Sequence, residues 1–97
     1  MATLTFAPAL ARWRTAEPSV DAEAWRVSAV GATLHELFED VFRNHPTLRG
    51  YVLDERGTLR HHVVVFVDDE PLHEKQNLGG AIAPNADIQV FQALSGG

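Results

Sequence analysis

The stretch Thr33-Leu34-His35-Glu36-Leu37-Phe38-Glu39-Asp40-Val41-Phe42-Arg43-Asn44-His45-Pro46 decides the fold. Leu34, Leu37, Phe38, Val41 and Phe42 recur at i, i+3, i+4, i+7 and i+8. That spacing makes one apolar stripe on a helix, with Glu36, Glu39, Asp40 and Arg43 turned to water. Thr33 and Glu36 have the spacing of a capping box, in which side chains satisfy the orphan N–H groups of the first turn. Pro46 ends the helix, because proline disfavours helical angles at the residue before it. A single amphipathic helix cannot bury its stripe alone, so a second layer must cover it.

Strand patterns on either side supply that layer. Upstream, Leu4 and Phe6 alternate with Thr3 and Thr5, the period of a half-buried strand, and residues 25–30 read as a second strand. Between them, residues 7–24 carry Pro8, Pro18 and several charges without a period. This is a long connection with room for a turn of helix near Asp21. Trp13 and Trp25 flank it, each able to pin the connection to the body or to meet a partner. Downstream, Tyr51-Val52-Leu53 and Thr58-Leu59-Arg60 bracket Asp54-Glu55-Arg56-Gly57, which reads as a short hairpin with Gly57 at positive φ. Residues 62–67 are rich in β-branched side chains and predict a buried central strand. Asp68-Asp69 is a turn, and Glu70-Pro71-Leu72 a short strand that Pro71 confines to an edge. Residues 78–84 have room for a short 3₁₀ or α turn. Pro84-Asn85-Ala86-Asp87 is a turn, and residues 88–94 alternate as a last strand before Ser95-Gly96-Gly97.

The fold class this predicts is α+β: a mixed sheet of about five strands packed on one main helix, with the first and last strands side by side in the middle. Residues 1–94 would form the domain and residues 95–97 a flexible tail. Because side chains alternate across a sheet, Leu4, Phe6, Val63, Val65, Val67, Ile88 and Val90 are assigned to the core with the helix stripe. Val64, Phe66 and Phe91 then share the open face, with Leu94 at the root of the tail. An exposed apolar cluster of this kind is either a partner site or a surface covered by the long connection.

At 97 residues the chain suits one domain with a modest core and no deep substrate cavity. Cysteine is absent, so any sulfur chemistry cannot use a thiol side chain. Neither a signal-peptide pattern nor a run of apolar residues long enough for a membrane span is visible, and a cytoplasmic location is expected. Eight Lys+Arg face thirteen Asp+Glu, a net charge of −5. That balance argues against nucleic acid as a partner. It suits docking on a basic protein surface, or simple solubility.

Other constellations are weak. His61-His62, with His35, His45 and His73 elsewhere, matches no zinc spacing, and neighbouring histidines on a strand would point to opposite faces. Asp68-Asp69-Glu70 lacks the glycine and ligand alternation of a calcium loop. Gly79-Gly80 has no lysine or following helix to make a phosphate loop. No serine, histidine and acid stand at catalytic spacing, and no metal site is expected.

Leu59-Arg60, Val63-Val64-Val65-Phe66-Val67-Asp68-Asp69-Glu70, Ala83-Pro84-Asn85-Ala86-Asp87-Ile88-Gln89-Val90 and Ala93-Leu94-Ser95-Gly96-Gly97 together resemble the ThiS/MoaD family of ubiquitin-like sulfur carriers. The helix with Leu34, Leu37 and Phe38 agrees. Within the group, the resemblance is nearer to the carriers of cysteine synthesis. Two departures are Asp68, where most members have Asn, and the length of residues 7–24. The resemblance implies a β-grasp fold and a carrier, not an enzyme. A ubiquitin-activating-type enzyme, using ATP and Mg²⁺, would adenylate the carboxylate of Gly97. A sulfur donor would then leave a thiocarboxylate there, and a sulfur-accepting biosynthetic enzyme would consume it. No cofactor would be held permanently. Val64, Phe66, Phe91 and Leu94 would dock partners.

The tail suits that chemistry. Glycine has no Cβ, so Gly96 and Gly97 can thread a narrow channel. Four residues from Leu94 reach roughly 13 Å when extended. With the sequence ending at Gly97, no processing would be needed to expose the carboxylate. At average glycine usage two terminal glycines arise by chance roughly once in 200 chains, so the signal gains weight only beside the strand and helix order. A frayed end remains the plain reading. Two rivals stand beside the carrier: a modifier joined through Gly97 to lysines, and a β-grasp interaction module with a silent tail.

Overall fold

The computed structural model describes residues 1–14, 23–72 and 78–92. The expected turn near Asp21, residues Ala93 and Leu94 of the last strand, and the tail with Gly96 and Gly97 lie outside the described residues.

Strands β1 (Ala2–Phe6), β2 (Trp25–Ala29), β3 (Val63–Val67), β4 (Glu70–Pro71) and β5 (Asp87–Gln92) form one sheet in the order β2-β1-β5-β3-β4. The central pair, β1 and β5, is parallel, with Leu4 opposite Ile88 and Phe6 opposite Val90, and the other pairings are antiparallel. This is the mixed sheet expected from the strand order, with first and last strands adjacent. Three helices, α1 (Pro8–Ala11), α2 (Leu34–Asn44) and α3 (Pro46–Val52), accompany it.

Helix α2 forms as its stripe predicts. Leu34, Leu37, Phe38, Val41 and Phe42 are buried. The Thr33 hydroxyl accepts from the Glu36 amide at 3.1 Å. The Glu36 carboxylate accepts from the Ala32 amide at 3.0 Å, one residue earlier than a standard capping box. Opposite the stripe, Leu4, Phe6, Val63, Val65, Ile88 and Val90 are buried from the sheet. A fully buried side chain of this size contributes about 1.5–3 kcal/mol relative to exposure. Val67 departs from expectation. It is half-buried, because it ends β3 beside a surface cleft shared with Leu72 and Ile82.

The expected hairpin is reduced to one bridge between Leu53 and Leu59, and Tyr51 and Val52 belong to α3 instead. Pro46 stops α2 but is pre-set for the first position of the next helix. Leu48 and Val52, four apart on α3, then drop into the core. The hairpin turn itself survives. Gly57 has φ +82°, and Asp54 gathers the loop by accepting from the Arg56 amide at 2.8 Å and the Thr58 hydroxyl at 2.7 Å.

The described start of the long connection is helical. Pro8 opens α1, whose Leu10 and Ala11 are buried, and a 3₁₀ turn follows at Arg12–Arg14. Trp13 stacks on Tyr51 at 4.1 Å between centroids, and the Thr47 hydroxyl donates to the Trp13 carbonyl at 2.8 Å. Trp25 stacks on Phe6 and meets the edge of His45. Both tryptophans therefore pin the chain to the helix side of the sheet.

Candidate functional site: the open face and the root of the tail

The helices cover one face of the sheet, and the pairings define the other. Across the middle of the open face run Arg26, Thr5, Gln89, Phe66 and Pro71, each opposite the next. One step toward the end of β5, Phe91 lies opposite Val64. Phe66 meets Phe91 edge to face at 5.8 Å. Val64, Phe66 and Phe91 thus form one apolar patch on β3 and β5, while β1 and β2 give the same face Thr3, Thr5, Arg26 and Ser28. Phe91 is 38% exposed, unusual for a phenylalanine in a central strand. The described part of the long connection packs on the helix side and leaves this patch open. Leu94, Gly96 and Gly97 lie outside the described residues.

Gln92, the last residue of β5, pairs with Val63. The Val63 amide donates to the Arg60 carbonyl at 2.9 Å, and Arg60 Nε donates to the Gly50 carbonyl at 2.7 Å. These bonds tie Arg60 to Val63, the partner of Gln92, and to Gly50. Arg60 shares a surface cleft of about 360 Å³ with Asp54, Arg56, Thr58, His61 and His62. The Thr58 hydroxyl is the main cause that holds the Asp54 carboxyl below its ordinary range, and the Thr58 and Arg56 amides and the Arg56 charge add to it against a weaker burial effect. His61 and His62 form a turn before β3 rather than strand, so the alternation expected of them does not apply, and their rings meet edge to face at 5.4 Å.

A second cleft of about 490 Å³ lies at the opposite end of β5, between Leu34, Val67, Asp68, Glu70, Leu72 and Ile82. Among the described residues its titratable side chains are the carboxylates of Asp68 and Glu70. Among the described residues no group of three or more His, Cys, Asp and Glu is placed to hold a metal ion. Among them, too, no helix is long and apolar enough to cross a membrane.

Strand alternation was enough to find Val64, Phe66 and Phe91. Arg26 escaped it, because only the pairing of β2 with β1 puts Arg26 level with the patch. Pro71 and Gln89 became part of the face the same way.

No family model and no curated protein matches the sequence. Solved structures do. The Amycolatopsis orientalis BexX/CysO complex matches with TM-score 0.78 and 23% identity, covering 100% of both chains. Mycobacterium tuberculosis CysO, described as an antigen, matches with TM-score 0.70 and 26% identity over 94% of this chain and 99% of that one. Small archaeal modifier protein 1 of Haloferax volcanii matches with TM-score 0.65 and 22% identity over 97% and 100%. The β-grasp architecture expected from the sequence is thus shared from end to end. By its fold the chain is a ubiquitin-like, β-grasp protein, similar in form to CysO and to the small archaeal modifier.

Proposed function

We propose that the chain is a sulfur carrier whose reactive group is the carboxylate of Gly97. The observation that supports it is the apolar patch of Val64 and Phe66 on β3 with the exposed Phe91 on β5, the strand that precedes Leu94-Ser95-Gly96-Gly97 in the sequence. A carboxylate is a poor electrophile until one oxygen becomes a leaving group. In this reading a ubiquitin-activating-type enzyme holds the patch, receives the tail, and joins the Gly97 carboxylate to the α-phosphate of Mg²⁺-bound ATP, releasing pyrophosphate and leaving an acyl-AMP. A sulfur donor displaces AMP, and the thiocarboxylate passes its sulfur to a biosynthetic enzyme that docks on the same face. The carrier contributes reach and recognition, and the partners contribute catalysis and cofactors. Work in the cytoplasm, where ATP and such enzymes reside, fits the absence of cysteine from the chain.

The likeness to small archaeal modifier protein 1 supports a second reading, attachment of Gly97 to lysines of other proteins. Both readings share the adenylation step. Incubation with ATP, Mg²⁺, sulfide and an extract of the source cells separates them by intact mass. A gain equal to one oxygen-to-sulfur exchange is the expected result. High-mass adducts without that exchange would favour the modifier. No change in mass, with partner binding kept after deletion of Gly96 and Gly97, would leave only an interaction module.

A further inference from the structure

An open sheet has two edges, and the two edges of this one differ. Strand β4 has two residues, one of them Pro71, whose nitrogen carries no N–H. Strand β2, at the other edge, has five residues, Trp25-Arg26-Val27-Ser28-Ala29, and no proline. The ladder tells which of its backbone groups are used. The Thr3 amide donates to the Ala86 carbonyl at 3.0 Å and the Ala7 amide to the Val90 carbonyl at 2.9 Å, so Thr3, Thr5 and Ala7 turn their N–H groups toward β5. Alternation then turns Ala2, Leu4 and Phe6 toward β2. Their partners Ala29, Val27 and Trp25 bond back to β1, and Arg26 and Ser28 point their N–H and C=O groups away from the sheet. Among the described residues nothing takes up these four groups. The Arg26 and Ser28 side chains are exposed on the open face, while Trp25 and Val27 are half-buried on the helix side. A strand edge with free backbone groups and no proline is a template for one more strand.

We propose that this edge pairs with β2 of a second copy of the chain, antiparallel and centred on Val27. A twofold axis through that point sets Arg26 opposite the partner's Ser28, and Ser28 opposite the partner's Arg26. Each of these pairs exchanges two N–H···O=C bonds, so all the free groups are used. Val27 faces the partner's Val27 at a non-hydrogen-bonded position, about 4.5 Å between Cα atoms, where the half-buried side chains cover one another. The large Trp25 faces the partner's small Ala29. Neighbouring registers are worse. Centring on Arg26 sets two guanidinium groups directly opposite, which like-charge repulsion opposes. Centring on Ser28 sets Arg26 against the partner's Val30, whose amide already donates to the Asp40 carboxylate at 2.9 Å. The axis stands perpendicular to the sheet, so both open faces lie on the same side. Val64, Phe66 and Phe91, on β3 and β5, stay uncovered in each copy. Pairing at the edge therefore leaves the apolar patch free for another protein and does not depend on the carrier reading. Five-residue strands give an interface at the low end of the size range, so the dimer is weak and forms at high protein concentration.

Sedimentation equilibrium of the full chain from micromolar to millimolar concentration tests the proposal. The parent's average mass is expected to rise with concentration from that of one chain toward that of two. Ser28→Glu sets a carboxylate opposite the partner's Arg26 in both pairs and is expected to tighten association about fivefold. Ser28→Lys sets a cation there and is expected to weaken it about fivefold. Thermal melts of both variants are expected to match the parent's, because the Ser28 side chain is exposed. Ser28→Pro removes an outward N–H that β1 does not use, and is expected to weaken association about tenfold or more. Phe91→Asp is expected to leave it unchanged. A parent that stays monomeric throughout overturns the proposal. So does a dimer whose strength does not move in opposite directions with Ser28→Glu and Ser28→Lys, or one abolished by Phe91→Asp, since the copies would then meet elsewhere.

Discussion

At the scale of the residue, close contacts and local hydrogen bonds make sharp expectations. Gly31 precedes α2, and a Cβ there would stand 2.7 Å from Glu36 Cβ and 2.9 Å from the Leu37 amide nitrogen. These atoms belong to the helix, which cannot step aside without breaking its cap. Gly31→Ala should therefore cost about 1–3 kcal/mol in urea unfolding, while Gly80→Ala, with nothing within 4 Å, should be near neutral. Asp54 makes a prediction in pH. Its carboxyl is held below the ordinary value, first by the Thr58 hydroxyl. A depressed acid favours the folded state above its unfolded pKa and loses that advantage as pH falls through the folded pKa. The melting temperature of the parent should thus exceed that of Asp54→Asn near neutrality, and the gap should narrow once pH drops below the usual aspartate range. A gap that stays constant down to acid pH would show that the loop is held by shape and neutral hydrogen bonds alone.

Elements were legible where a period ran long enough. Helix α2 could be read from its stripe because five apolar positions repeat over more than two turns, and β1, β3 and β5 from alternation or β-branched content. Helix α3 could not. Its seven residues include Gly50, Tyr51 and Val52, which carry weak helix propensity and read as a strand in isolation. Packing against α1 and the 3₁₀ turn, with Trp13 on Tyr51, overrides that preference. Leu48 shows how much rests on it, being fully buried within the shared core. Leu48→Ala should cost about 2–5 kcal/mol in chemical denaturation, as a core leucine does. A cost below about 1 kcal/mol would mean that α3 is an ornament on the sheet rather than part of its core.

For the whole molecule, the decisive feature is that, among the described residues, the helices all pack on one face of the sheet and Phe91 stands exposed on the other. A phenylalanine exposed beside the route of the tail contributes little to the fold and much to a partner that covers it. Phe91→Asp should shift the unfolding midpoint only slightly. In the proposed carrier role it should weaken binding to a ubiquitin-activating-type enzyme more than about tenfold, measured by titration calorimetry. Equal binding by parent and variant would move the docking surface off this face.

The sequence by itself determined the α2 stripe, the parity of each main strand, the apolar residues of the open face and the Gly96-Gly97 tail motif, because these depend on periods of two and 3.6 and on residue chemistry. Only the tertiary structure decided that residues 46–52 are helical, that Trp13 and Trp25 serve the helix side, and that Arg26 stands level with Phe66 while Asp68 meets Asp87 at the start of β5. Those facts join segments far apart along the chain. Strand pairing and core packing bring them together, and no local pattern encodes such neighbours.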